Sequence, residues 1–331
     1  MIRAALLFIG AVVGAGFATG REVTVFFCGH SVWVAVAAGW GLGALCALFL
    51  WFGRAERARP LPRALRASVR FVLWCGACLT YWCMATAGEQ IFDQAFGVRG
   101  IGLWTGVFAG VLGALDMRTI GKVNAVVVPL LCLSVLALGA VAPPVQGGKI
   151  GVFSAFHYCA MNILLGGYVV APQGEKMSAR AIVGAGALVG VVFSVLLACV
   201  YRVACVYPDA AMPVYEFAAS RGLAPLSAAI VYLAVFTTML GSGAMIVGAV
   251  AETCRSVTVG ICVPIAITVL GIGSEFSAVV QTTYPIVGYV GIVYTALALA
   301  VCLRAAMRHR DRLPRLPSVS DSDRRAADTA R

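Results

Sequence analysis

The chain is a succession of apolar runs near twenty residues long, separated by short polar connections. A run of that length spans the hydrocarbon core of a bilayer as a helix. No water there can satisfy a free backbone, so a spanning segment must be a helix or part of a closed barrel. The runs do not alternate polar and apolar residues, which excludes the barrel. Composition agrees: 61% of the 331 residues are hydrophobic and 12% are charged. A soluble domain is about a quarter charged. The pattern predicts an all-α integral membrane protein with ten spans, at about 2–27, 32–52, 69–92, 101–117, 123–143, 152–172, 181–203, 224–251, 256–273 and 277–303. These form one transmembrane domain, 1–303, and the connections leave no room for a soluble one. The basic, Pro- and Ser-containing tail, 304–331, is expected to be disordered.

A net charge of +11 invites a nucleic-acid partner, but the basic residues lie between spans and are better explained by topology. With a cytoplasmic N-terminus, twenty Lys and Arg fall inside and five fall outside or at its edge: Arg21, Arg99, Lys149, Arg202 and Arg221. The expectation is a multi-pass protein of the cytoplasmic (inner) membrane with both termini inside. The apolar start continues past its small residues into a retained helix rather than a cleaved signal peptide. The twelve cysteines are scattered through apolar runs and read as small apolar residues rather than a disulfide framework. Cys75-x-x-Cys78 has no second pair, so no transition metal is expected. His30, His157 and His309 stand at unrelated positions and supply no nucleophile–base set, which argues against an enzyme.

The first span carries an anomaly. It reads Gly14-Ala-Gly-Phe-Ala-Thr-Gly20-Arg21-Glu22, with glycines that ease unwinding and two charges where charge is costly. Unwound backbone at membrane depth survives where it is buried in protein or lines a wet cavity. Close packing of helices through small residues is the simpler alternative. The sixth span has a matching interruption, Asn162 with Gly166-Gly167. Five spans separate the two, so the breaks run in opposite directions. That is the layout of two five-helix inverted repeats, about 1–143 and 152–303, whose broken helices 1 and 6 meet at the midplane.

From Gly14 to Glu22, followed by Phe26-Phe27, the chain resembles the YkvI-like membrane proteins, with their GAGFA-S/T-G-x-E signature. The likeness extends to the Thr237-Thr238 pair. That family is similar to the amino acid–polyamine–organocation superfamily of LeuT-type fold. The resemblance implies a secondary active transporter and leaves the substrate open.

Candidate site residues follow. The N–H groups of Ala15, Gly16 and Phe17 would start the outer half-helix and suit a carboxylate. Carbonyls near Val12–Ala15 would suit a cation. Asn162 is a substrate candidate or a bond to a neighbouring helix. Tyr81 covers the substrate or is a core tyrosine. His157 is a proton carrier or, more simply, a packed residue. Ala234-x-x-Thr237-Thr238 matches the second sodium site of LeuT-type symporters, a carbonyl followed by hydroxyls three and four residues on; otherwise the hydroxyls bond back to their own helix. The resemblance makes Arg21 and Glu22 gate candidates, with Glu275 as a carboxylate partner near the tenth helix. Glu89 and Lys122 are candidates if coupling is to protons. The 204–222 connection should hold a short outer helix between Pro213 and Gly222, a lid or a connector.

The expected activity is cation-coupled symport of a small zwitterion such as an amino acid or related amine. No cofactor is expected; the coupling ion is sodium or a proton. The partners are the substrate and the lipid bilayer, with no nucleic acid, and a homo-oligomer is compatible with the sequence. The competing reading is a ligand-binding membrane receptor without transport.

Overall fold

The computed structural model describes residues 1–310 except 59, 116, 146–147 and 272. Thirteen helices follow one another. The first span is three short pieces, α1 (Ile2–Val12), α2 (Ala15–Thr19) and α3 (Arg21–Phe27). Then come α4 (Val32–Ala58), α5 (Arg63–Phe96), α6 (Ile101–Leu112), α7 (Met117–Val141), α8 (Val152–Gly174) and α9 (Ala179–Ala204). The short α10 (Pro213–Ala219), α11 (Ala224–Cys254), α12 (Val257–Gly271) and α13 (Phe276–Arg310) complete the order. No strand forms among the described residues; one isolated bridge pairs His30 with Lys149. Seven helices are long and apolar enough to cross a membrane, and α1, α6 and α12 are shorter apolar helices.

Small residues set the central contacts. The helix α4 packs chiefly on α9 and α8. A Cβ on Gly43 would lie 2.4 Å from the Gly186 carbonyl, and one on Gly53 would lie 1.8 Å from the Ala171 carbonyl. Helices in lipid gain little from the hydrophobic effect when they associate, so close backbone approach and dispersion take its place. Around this seam Phe8 and Phe17 pack on Phe193 of α9, at 6.2 and 5.6 Å between ring centres.

Two expectations need correction. The helix α8 is continuous from Val152 to Gly174, so the expected break at Asn162–Gly167 does not occur. Its glycines serve packing instead: a Cβ on Gly166 would lie 2.9 Å from Phe8, and one on Gly167 would lie 2.8 Å from Phe49. The last helix runs on to Arg310, past the expected end near 303, because Leu303-Arg-Ala-Ala-Met307 are strong helix formers. The rest of the expected tail, 311–331, lies outside the described residues. The short helix expected at Pro213 forms, with Pro213 in its first turn and Gly222 left-handed at φ 75°.

Four ion pairs occur among the described residues: Arg57–Glu175, Arg66–Glu56, Arg70–Glu252 and Arg99–Asp93. The first three cluster at the end formed by the α4–α5, α8–α9 and α11–α12 connections. Exposed pairs of this kind add little to stability.

Candidate functional site

The first span leaves the helical path at Val13, which is extended at φ −75° and ψ 96°. Gly14 follows at φ −140° and ψ −149°. A side chain at Gly14 has no room, because its Cβ would lie 2.6 Å from Thr238 Oγ1. The Ala15 N–H donates to that hydroxyl at 3.2 Å. Among the described residues, the carbonyls of residues 10–13 accept no backbone hydrogen bond, and the N–H groups of Gly16 and Phe17 find no acceptor. The break thus offers both unpaired acceptors and unpaired donors, as any two abutting helix ends must.

A second reset comes at Gly20, whose left-handed φ of 75° separates α2 from α3. It has a large consequence for the next two residues. Arg21 turns toward the end of the bundle that holds the α9–α10 connection and is buried. Its guanidinium donates to the Pro208 and Ala210 carbonyls at 3.0 and 3.2 Å and to Ser277 Oγ at 2.7 Å. Glu22 folds inward. Its carboxylate packs so closely on Gly16 that a Cβ there would lie 2.0 Å from Oε2. Tyr158 Oη donates to its other oxygen at 3.1 Å. Glu22 is 5% exposed, and no Lys, Arg or His pairs with it among the described residues.

These groups surround a cavity of about 90 Å³ lined by the break (Val12, Gly14, Ala15, Gly16), Glu22, Thr80, Asn162, Thr238 and Tyr284. Besides α1–α3, four helices contribute to its wall, α5, α8, α11 and α13. A second cavity, of about 560 Å³, runs along the other side of the break and is lined by Gly10, Ala11, Val13, Thr237 and Thr238.

The residues singled out in the sequence divide accordingly. Ala15, Gly16 and Asn162 line the smaller cavity; Asn162 donates to the Tyr158 carbonyl at 3.1 Å. The fold brings Thr237 and Thr238 to the end of α1 that carries Val12. Both hydroxyls donate to the Ala234 carbonyl, at 3.1 and 2.9 Å, which is the back-bonding alternative. Phe17 does not face the cavity but packs on α9. Tyr81 is a core residue that donates to the Gly106 carbonyl, and its neighbour Thr80 faces the cavity instead. Glu275 is exposed and Arg21 reaches Ser277, so the expected Arg21–Glu275 pair is absent. Glu22 lines the cavity rather than a gate. Glu89 accepts from the Gly100 and Gly102 N–H groups at 2.6 and 2.8 Å, a cap on the N-terminus of α6. Lys122 is exposed at the start of α7, away from the break. His157 is buried against Phe26, Phe153 and Tyr289 and bonds the Pro285 carbonyl at 2.9 Å, a packing role.

The sequence reading missed Met84, Met161, Thr283 and Tyr284. Apolar and hydroxyl residues inside transmembrane helices give no signal of their own. No three His, Cys, Asp or Glu residues stand close enough to hold a metal among the described residues.

No family model matches the chain. It is 26% identical to the membrane protein YkvI of Bacillus subtilis (strain 168), over 92% of this chain and 96% of that one. Among solved structures it is similar to Mhp1, a nucleobase-cation-symport-1 family transporter. The closed form with bromovinylhydantoin bound matches with TM-score 0.53 and 14% identity, over 83% of this chain and 72% of that one. The inward-facing form of Mhp1 matches with TM-score 0.54 and 16% identity, over 90% and 72%. The likeness to Mhp1 is one of fold. The chain is thus similar in sequence to the YkvI membrane protein and shares its helical fold with Mhp1.

Proposed function

We propose that the chain is a secondary active transporter that carries a small zwitterionic amine together with a cation. The observation that carries this reading is Glu22. A carboxylate buried without a cation costs several kcal/mol, and this one borders a cavity beside unwound backbone. A solute with an ammonium group would neutralise it at the site, with Tyr158 fixing the carboxylate's other oxygen. The unpaired N–H group of Gly16 would take the solute's own carboxylate. Thr80, Asn162 and Tyr284 would line the remainder.

The ten-span, five-plus-five arrangement is part of this proposal. The seven long helices, the α1–α3 segment, α6 and α12 supply ten crossings in the expected order, and the fold likeness to Mhp1 supports it. The break in the first span is the hinge it requires; the continuous α8 means that the second repeat contributes a face rather than a matching gap. Both termini would be cytoplasmic, placing the Arg-rich α4–α5 connection inside.

For the coupling ion we favour sodium, held by the unpaired carbonyls near Val12, the Ala234 carbonyl and the Thr237 and Thr238 hydroxyls. Neutral oxygens suit a monovalent ion that must be released each cycle, whereas calcium or magnesium would call for carboxylates. The rival coupling ion is a proton, and its carrier would be Glu22, since Glu89 and Lys122 lie elsewhere. Uptake of labelled amino acids and amines into proteoliposomes, under separately imposed sodium and proton gradients, tests the reading. Accumulation driven by either gradient supports it. Binding of an amine without gradient-driven uptake would overturn transport in favour of a receptor.

A further inference from the structure

Cys28 ends α3, and Cys205 ends α9. They are 177 positions apart in the chain, yet their Sγ atoms are 3.2 Å apart. Of the twelve cysteines in the sequence, most lie inside apolar helices; these two sit together beyond the spans. A disulfide requires Sγ atoms about 2.05 Å apart, so a side-chain adjustment of roughly 1 Å separates this pair from a covalent bond. Tyr201 lies beside Cys205 and donates to the His30 carbonyl, so the backbone around both thiols is already held. The same place is tied by Arg21, which grips the Pro208 and Ala210 carbonyls just beyond Cys205.

We propose that Cys28 and Cys205 form a disulfide that fastens the outer end of the first span to the α9–α10 connection. The topology supplies the compartment. These segments share one end of the bundle with Arg99, Lys149, Arg202 and Arg221, the side poorer in Lys and Arg. By the positive-inside rule that is the outer face, where disulfides form and persist.

The two thiols are not equivalent. The hydrogen bond shared with Cys205, in which either sulfur can donate, holds Cys28 below its ordinary thiol value, against its burial and with help from the nearby Arg21 guanidinium. The same hydrogen bond, with burial, pushes Cys205 up. We assign Cys28, the thiol beside the Arg21 guanidinium, as the nucleophile and Cys205 as the resolving thiol. The oxidant is a disulfide-bearing thiol oxidant of the outer compartment. The Cys28 thiolate attacks one of its sulfurs and displaces the other as a thiolate, leaving a mixed disulfide. Cys205 then loses its proton, and its sulfur attacks Cys28 Sγ and releases the second thiolate. The protein gives up two electrons and two protons; the oxidant takes them and leaves as a dithiol.

The new bond would act on the cavity through a short lever. Cys28 and Glu22 are joined by α3, less than two turns of helix. The disulfide therefore fixes the segment that aims Glu22, on the side where Arg21 already anchors it.

The test is alkylation with maleimide in denaturant of protein purified from membranes without reductant, followed by intact mass and peptide mapping. Two of the twelve cysteines should resist labelling and map to a Cys28–Cys205 linked peptide, and prior reduction should make all twelve reactive. Cys28→Ser and Cys205→Ser should each remove the protected pair. A membrane-impermeant maleimide, applied after reduction, should label Cys28 in right-side-out vesicles. Twelve reactive cysteines without reductant, persisting after treatment with a thiol oxidant, would overturn the cross-link. Labelling confined to inverted vesicles would overturn the proposed compartment and with it the proposal. Both readouts use the wild-type protein, so they stand even where a serine variant fails to fold.

Discussion

Gly16→Ala adds one methyl group at the point where the cavity carboxylate rests. The new Cβ would lie 2.0 Å from Glu22 Oε2 and 2.3 Å from Cδ, where ordinary contact begins at 3.4 Å. The oxygen would have to retreat by about 1.4 Å. It cannot do so freely, because the other oxygen is held by Tyr158 at 3.1 Å and the side chain is buried. Either the carboxylate turns and loses Tyr158, or α2 shifts away from Thr238. Misplacing a binding group by ~1 Å costs on the order of 10²-fold, or about 2.7 kcal/mol. We expect Gly16→Ala to weaken binding of the proposed amine substrate by about that factor, and Gly16→Leu to abolish binding while the protein still inserts. The assay is equilibrium binding of a labelled amine to detergent-solubilised protein, with monodispersity as the folding control. Wild-type affinity in folded Gly16→Ala would show that Glu22 does not hold the ammonium, and the site would have to leave the first span.

The break at Gly14 was legible because several signals coincide there: glycines, a polar run and two charges inside an apolar span. The direction of those charges was not. Arg21 and Glu22 are neighbours in sequence, and a continuous helix would have placed both on the outer half. The left-handed residue at Gly20 sends one outward and the other back against Gly16. A glycine chosen for its φ and a glycine chosen for close packing look alike in a sequence. The same ambiguity misled the reading of α8, where Gly166 and Gly167 make room for Phe8 and Phe49 without interrupting the helix. Tyr81 and Thr80 show a finer limit. One residue turns a helix by ~100°, and the boundaries of a 34-residue helix cannot be fixed finely enough to say which neighbour faces inward. Glu89 was singled out because burying a carboxylate is costly, and the cost is met by two backbone amides at the start of α6. The pairing of Cys28 with Cys205 lies beyond local pattern altogether, because it exists only once α3 and α9 have packed.

Removing the cap with Glu89→Ala should destabilise the protein by ~1 kcal/mol and leave amine affinity unchanged; thermal melting in detergent and equilibrium binding check the two halves. Ser277→Ala removes a hydrogen bond from the buried Arg21 guanidinium and should cost ~1.5–3 kcal/mol in denaturant unfolding, whereas Glu275→Ala should cost nothing measurable. Equal losses in the two variants would restore the Arg21–Glu275 pair. The last prediction concerns the hydroxyl pair. Thr237 faces the larger cavity, while Thr238 faces both and also accepts from the Ala15 N–H. If sodium is held between them and the end of α1, Thr237→Ala should raise the half-saturating sodium concentration with little change in amine affinity. Thr238→Ala should raise both, because it also frees the amide that fixes the break beside Gly16. Uptake measured against sodium at fixed pH, with choline as replacement, separates the cases. Uptake that ignores sodium but collapses with the proton gradient would remove the ion from the threonines and leave Glu22 as the group that carries the coupling charge.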